Sequence, residues 1–364
     1  TVLGAVHQMM DRTEIAVRAE IAAMPDGTYS GESATDDDGT ILDEPVTVRV
    51  DVTIKGDEIT LDFSRSDAQR PGFVNSVYAP TYARATCAVI INMDPALADF
   101  HNQGSVRPIT VIAPPGNVTN CNYPATVGAC PVNCGTQVLE AVIEALGKAR
   151  PDRSIASWGK HRGDYTFAMD PRTGERYVRT TFDYDGSAGA VWGHDGMTGP
   201  TSLPTLGWVQ RGNIEEAEIR FPWRMLNLEV RPNFNGHGRW RGGVGIDWRA
   251  VNGVGDGRMS TGSSDGDFVH GKGAQGGQRV PLARTFIVRG DNKVRVKPHR
   301  VDPFKTGDVV VKLSPGGAGV GDPWLRPVEK VALDVEREKV TVEAARLIYG
   351  VVIDPASLQV DQAA

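Results

Sequence analysis

Between Pro45 and Asp62, apolar and polar positions alternate. Val46, Val48, Val50, Val52 and Ile54 fall on one face, and Thr47, Arg49, Asp51 and Thr53 on the other. A period of two predicts a half-buried strand, turned at Lys55-Gly56-Asp57 into a hairpin partner over Glu58–Phe63. Elsewhere in the first 150 residues the period is helical. Val2–Met24 predicts a helix ending at Pro25-Asp26-Gly27, with Ile15, Ala19 and Ala22 as its apolar side and Glu14 and Arg18 as a polar i,i+4 pair. Tyr78–Met93 predicts a second helix and Arg107–Ala113 a short strand. Gly135–Ala149 predicts a buried helix with Val138, Leu139, Val142, Ile143 and Leu146 inward and Pro151 as its stop. Beyond residue 150 the pattern changes to short alternating stretches separated by glycine loops. Tyr177–Tyr184, Glu216–Arg220, Leu226–Arg231 and Thr285–Val288 are expected strands. The closing helix starts after Thr341, an N-cap type of residue, and carries Ala344, Leu347 and Ile348 at helical spacing. The expected fold is α+β, a β-rich mixed architecture with several packing helices. Its portions are 1–150 (α+β), 151–300 (β-rich, with glycine loops that could carry a site) and 301–364 (a glycine loop and the closing helix).

Composition narrows the function classes. With 23% charged and 40% hydrophobic residues in 364, the chain is globular, and a net charge of −6 supplies no basic stripe for nucleic acid. No apolar run approaches the roughly 18 residues of a membrane span and no signal peptide opens the chain, so the expected compartment is the cytosol. The four cysteines, Cys87, Cys121, Cys130 and Cys134, form no C-x-x-C pair. Reduced, partly buried thiols are expected rather than a zinc site. The chain opens on Thr1 inside a helical pattern, which reads as a start in mid-architecture. An N-terminal threonine can serve as a nucleophile, but Leu3, Val6 and Met10 at helical spacing favour simple packing.

Reactive side chains concentrate in Lys160-His161-Arg162-Gly163-Asp164, Asp183-Tyr184-Asp185-Gly186 and His194-Asp195-Gly196. Histidine titrates near neutrality, and a carboxylate beside it fixes its tautomer and raises its basicity. His161, Asp164, Asp185, His194 and Asp195 are therefore the candidate catalytic residues. The competing reading is that the Asp-Gly pairs simply form turns. In Gly236-His237-Gly238-Arg239-Trp240-Arg241-Gly242-Gly243, the arginine forks suit a carboxylate or phosphate, and a tight corner with solvated arginines is the plainer reading. Asp36-Asp37-Asp38-Gly39 lacks the rest of a calcium loop and is expected to be a solvated acidic turn. Ser314-Pro315-Gly316-Gly317-Ala318-Gly319-Val320-Gly321 lacks the lysine of a P-loop and, by itself, reads as a surface turn. With no P-loop, dinucleotide fingerprint, nucleophile elbow or H-E-x-x-H, any ATP chemistry needs another chain.

Four motifs in order resemble the hydantoinase B/oxoprolinase family, which includes related subunits of acetone and acetophenone carboxylases. They are Asp36–Gly39; Asp62-Phe63-Ser64 with Gln69, Gly72 and Asn75; Gly236–Gly245; and Pro315–Pro323, followed by Val331-x-x-Asp334-Val335 and Tyr349-Gly350-Val351-Val352. The resemblance implies one part of a B-like subunit in an ATP-dependent complex. ATP and magnesium would sit on a hydantoinase A-like ATPase subunit, a divalent metal would be bound outside this chain, and the remaining N-terminal part of the B-like subunit would pack against it. Asn75, Arg239 and Arg241 are the candidate substrate-binding residues, and no metal ligand is assigned here. Three activities are open: carboxylation of a small ketone with bicarbonate, hydrolysis of a cyclic amide, or a non-catalytic assembly role. Arg211-Gly212-Asn213-Ile214-Glu215-Glu216-Ala217-Glu218 with Phe221-Pro222-Trp223, and Tyr184-Asp185-Gly186-Ser187-Ala188-Gly189-Ala190 in place of a Gly-Gly-Gly-x-Gly run, depart from the pattern of the hydrolases and tilt the expectation slightly towards the carboxylases.

Overall fold

The computed structural model describes residues 1–181, 186–199, 203–205 and 212–361. They divide into two compact units, Thr1–Ile155 and Ala156–Ala364, so residues 301–364 fall within the second. The architecture is α+β throughout.

In the first unit the chain runs α1 (Val2–Ala22), β1 (Gly27–Thr35), β2 (Val46–Lys55), β3 (Glu58–Asp62), α2 (Tyr78–Ile90), β4 (Ile109–Ile112), α3 (Cys130–Asn133) and α4 (Gly135–Ala149). The sheet order is β1-β2-β3-β4. Strands β2 and β3 form the expected hairpin, Lys55 opposite Glu58, and β3 takes β4 as a parallel neighbour. Val46, Val48, Val50, Val52 and Ile54 are all buried, as their alternation requires. Helix α4 lies on β1 so closely that a methyl group at Gly31 would overlap the Ala141 carbonyl.

Two local expectations fail here for physical reasons. Helix α1 does not pack through Ile15, Ala19 and Ala22; Thr13, Val17 and Ile21 are the buried residues, and Ile15 is 67% exposed. The i,i+4 row chosen by the fold begins with a threonine, whose hydroxyl is satisfied by the Met9 and Phe100 carbonyls at 3.0 and 3.2 Å. A polar residue on the inward face hid that face from a hydrophobicity pattern. Asp36, Asp37 and Asp38 are not a solvated turn either, since all three are buried. Asp37 accepts from the Gly39 and Asp43 amides at 2.8 and 3.1 Å, and Asp38 from Thr40 and Ile41 at 2.8 and 2.6 Å. Carboxylates that gather backbone N–H groups in this way organise a loop.

The second unit packs a five-stranded sheet, β11-β10-β13-β8-β7, against a four-stranded one, β12-β9-β5-β6. The strands are β5 (Arg162–Asp170), β6 (Glu175–Thr181), β7 (Trp223–Arg231), β8 (Gly245–Asn252), β9 (Gly257–Ser264), β10 (Arg284–Arg289), β11 (Asn292–Val296), β12 (Val301–Phe304) and β13 (Val309–Ser314). Trp223, Trp248, Ile287 and Val310 from the first sheet meet Met259 and Phe304 from the second in one core. Of the expected strand Tyr177–Tyr184, the portion up to Thr181 is strand, and residues 182–184 lie outside the described residues. Glu216–Arg220 is not a strand. It belongs to helix α5 (Ile214–Arg220), capped by the Asn213 side chain on the Glu216 amide at 3.0 Å, with Glu215 and Glu216 in the first turn and Arg220 in the last. That arrangement of cap and charges suits a helix, and over so few residues it outweighs apparent alternation.

Other segments of the second unit are joined by lateral backbone hydrogen bonds around a small core of Ala156, Ala190, Trp240, Val280, Ala318 and Val320. Segments around Ala156, Ala188, Gly236, Gln278 and Gly317 hydrogen-bond laterally: Ala156 N–H to Ala190, Ala190 to Ala318, Gly236 to Gly317, Gly243 to Ala188 and Gly319 to Gln278, at 2.7–3.0 Å. Residues 314–321 are all buried, so the glycine run is an interior strip and not a surface turn. Helices α6 (Val328–Glu336) and α7 (Val342–Tyr349) close the chain around Val331, Val335, Ala345, Tyr349 and Ile353.

Candidate functional site

His161 and Asp164 sit where β5 begins and β9 ends. The register between these strands shifts between Gly163 and Tyr165, placing Asp164 at an irregularity of the ladder, a feature that re-aims a side chain. Lys160, His161 and Asp164 are buried together with Asp265, Asp267 and Lys312. The Asp265 amide donates to the His161 carbonyl at 2.7 Å, and Lys160 Nζ lies 3.9 Å from Asp265 Oδ2. Lys312, from β13 on the facing sheet, is ion-paired with Asp164 and stands 4.7 Å from the Trp248 ring centroid. Asp267 holds Arg295 Nη2 at 2.7 Å. Lys160 with Asp265 and Lys312 with Asp164 are thus buried pairs, and in the interior each charge is costly without its partner. Lys312 and Asp265 carried no recognisable motif; the pairing of β5 with β9 brings Asp265 to His161, and the packing of the two sheets brings Lys312 to Asp164.

Asp195 and Arg241 belong to a different cluster. Arg326 grips Asp195 with both terminal nitrogens, at 2.7 and 2.8 Å, and Asp334 with one, at 2.7 Å. Arg241 completes the chain of charges at 2.8 Å from Asp334, and its amide donates to Asp195 at 3.0 Å. Burial acts to raise the Asp195 pKa, but the Arg326 bonds and charge outweigh it and hold the carboxyl below its ordinary value. Nearby, His237 Nδ1 is 2.7 Å from the Tyr349 hydroxyl. The Val331-x-x-Asp334-Val335 and Tyr349-Gly350 motifs therefore latch the two closing helices onto the corner Gly236–Gly245, which is what their chemistry does in this fold. Arg241 is buried, contrary to the expectation of a solvated arginine, while Arg239 is exposed with its guanidinium 4.9 Å from the Trp240 ring.

The other candidates are dispersed. His194 is exposed in a tight turn bridged to Val191, and Asp185 lies outside the described residues. Asn75, in the first unit, is fully engaged by its own loop: it accepts from the Arg70 amide at 2.7 Å and donates to the Arg70, Gly72 and Thr126 carbonyls at 2.8–3.2 Å. Among the described residues no three His, Cys, Asp or Glu side chains are placed to hold a metal ion.

His237 makes a testable contribution to stability. Burial, reinforced by the Arg241 charge, pushes its pKa down to about 4, so the folded state refuses a proton that the unfolded chain accepts below about 6.5. Between those values the unfolded state binds more protons, and stability of the second unit climbs with pH before levelling off. Urea unfolding at a series of pH values should show this slope in the native protein and a shallower one in His237→Gln. Parallel slopes would refute the assignment.

Comparison with known proteins places these features. Residues 1–323 match the family model described as hydantoinase B/oxoprolinase. The beta subunit of the caprolactamase of Pseudomonas jessenii is 30% identical over 386 aligned positions, covering 100% of this chain and 63% of that protein. The B-type component of a putative D-/L-hydantoinase from Pseudomonas sp. (strain NS671) is 29% identical over 97% of this chain and 60% of its own length. The delta subunit of the acetophenone carboxylase of Aromatoleum aromaticum is 25% identical over 99% and 58%. The crystal structure of the ATP-dependent caprolactamase from Pseudomonas jessenii superposes with a TM-score of 0.85 at 28% identity, over 100% of this chain and 63% of that one. The chain thus spans roughly three fifths of the length of these relatives. With most of its length matched by the family model, this chain belongs to the hydantoinase B/oxoprolinase family.

Proposed function

We propose that this chain is part of the B-like subunit of an ATP-dependent enzyme that hydrolyses a cyclic amide. The observation that carries this reading is the match to the caprolactamase across the whole of this chain, in sequence and in backbone. ATP and magnesium are assigned to a hydantoinase A-like partner subunit and the divalent metal to residues outside this chain. A partner surface is available on α1, where Leu3 and Val6 are 73% and 42% exposed. Within this chain, His161 is the proposed proton carrier and Lys160 the positive charge beside it, with Asp164 positioned through Lys312. The latch around Asp195 and Arg241 positions the corner that bears Arg239.

Carboxylation of a small ketone is the second reading. It is favoured by Phe221-Pro222-Trp223 and by the replacement of the glycine run near residue 186, both of which depart from the hydrolase pattern. The purified complex, supplied with ATP and either a lactam, a hydantoin, acetone or acetophenone, separates the two. Turnover of a cyclic amide without bicarbonate is expected; strict dependence on bicarbonate with a ketone would overturn the hydrolase reading. In the same assay His161→Ala is expected to lower kcat by about 10²-fold or more with the complex intact, and His194→Ala to leave it near the native value. Unchanged turnover in both would favour a scaffold without catalytic groups.

A further inference from the structure

Strand β5 alternates in the inverted sense. Asp164, Thr166 and Asp170 are buried, while Tyr165, Phe167 and Met169 lie on the other face and are 36%, 42% and 47% exposed. A strand with one solvated face ordinarily does the reverse, as β2 does with its valines buried. The neighbouring strands continue the outer face. Val178 of β6 stands opposite Phe167, and Val301 of β12 is paired with Ser260 of β9, which is itself paired with Tyr165; both valines are 58% exposed. Side chains opposite one another on a sheet are about 5 Å apart, so these residues make one contiguous patch and not scattered exposures. The Tyr165 and Phe167 rings are stacked within it, centroids 6.4 Å apart. Two cations stand in the patch: Arg258 is paired with Phe167 on the β9 side, and Arg176 with Met169 on the β6 side. Both arginines are exposed, and neither forms an ion pair among the described residues. Among the described residues no Asp or Glu holds an outward position on these four strands.

We propose that this sheet face docks a second subunit of the complex, through a surface with apolar side chains at its centre and carboxylates placed for Arg176 and Arg258. Charge complementarity selects that occupant. The same face of a second copy brings two further arginines and no carboxylate, so pairing of the face with itself lacks counter-charges. Nucleic acid and anionic lipid are held by clusters of cations, whereas here two arginines stand on a chain of net charge −6. Aromatic rings, methionine and arginine are the residue types that protein interfaces concentrate. Covering the patch takes the arginines out of water, which is costly unless each meets an anion. The proposal rests on the assembly proposed above and not on the reaction assigned to it, and it is read out by contact between chains rather than by turnover, so either can fail without the other.

Photo-cross-linking in the purified complex is the test. With p-benzoyl-phenylalanine in place of Val178, irradiation is expected to join this chain to a different polypeptide, at a peptide in which Asp or Glu flanks apolar residues. The double variant Arg176→Glu with Arg258→Glu should weaken association of the subunits about tenfold or more, followed as dissociation on dilution, and should flatten its salt dependence. Both positions are exposed, so a native Tm is expected, and the cross-link made with native arginines keeps the test decisive if the double variant does not fold. A cross-link confined to the same polypeptide, a cross-link to a second copy, or no cross-link would each overturn the proposal. Unchanged association in the folded double variant would do the same. Saturable binding of the full chain to vesicles of phosphatidylserine and phosphatidylcholine, lost in the double variant, would overturn it in favour of a lipid surface.

Discussion

Gly317→Ala is expected to destabilise the second unit strongly. The added methyl would overlap the Ala188 carbonyl and crowd the Gly189 amide, both backbone atoms within the lateral hydrogen-bonded layer. Overpacking of side chains typically costs about 1–3 kcal/mol, and there the side chains can still shift. Here the obstacle is main chain held on several sides, so the expected loss is at least about 3 kcal/mol, a fall of roughly 6–12 °C in Tm for a unit of this size. Gly262→Ala is the matched control, because its methyl would meet only Ser260 Oγ at 3.5 Å. Calorimetry on both variants decides the matter. A Gly317→Ala protein with native Tm would show that the layer is loose enough to admit a side chain.

Arg326→Ala should produce the second large effect. The side chain is almost completely buried, and its removal strips Asp195 of both guanidinium contacts and leaves Asp334 with Arg241 alone. Breaking a buried ion network by deleting one member typically costs about 3–5 kcal/mol, chiefly through the uncompensated charge left behind. The closing helices α6 and α7 should therefore exchange their amide hydrogens much faster, with protection in β8 and β13 less affected. Arg326→Lys keeps the charge but loses the fork that grips two carboxylates, and an intermediate loss is expected. Native protection of α6 and α7 in Arg326→Ala would remove the latch from the account.

Both predictions rest on contacts that no local pattern announced. The first unit was the more legible. Alternation from Val46 to Ile54 with the turn at Lys55-Gly56-Asp57 specified the β2–β3 hairpin, because a strand with one dry face has only one acceptable register. Helix α4, with apolar residues around most of its circumference, could only be an interior element. The candidate site was legible only in part. Lys160, His161 and Asp164 stood out as a dense reactive stretch, and each of the three is buried. Farther along the same stretch, Asp195 is held by Arg326 and His194 is exposed.

Short-range chemistry thus determined the β2–β3 hairpin, the helices α1, α2, α4 and α7, and the stretches that belong to the family, since periodicity, caps and turn residues act over a few positions. Tertiary structure alone decided which face of α1 is buried, that three consecutive aspartates lie inside, and that the glycine strip is a packed interior layer. It also decided that Lys312 meets Asp164 across 148 positions, and Tyr349 meets His237 across 112. The reason is common to all of them. A charge or a polar group is tolerated inside only when its partner arrives, and that partner is supplied by a distant segment whose position depends on the packing of the whole unit.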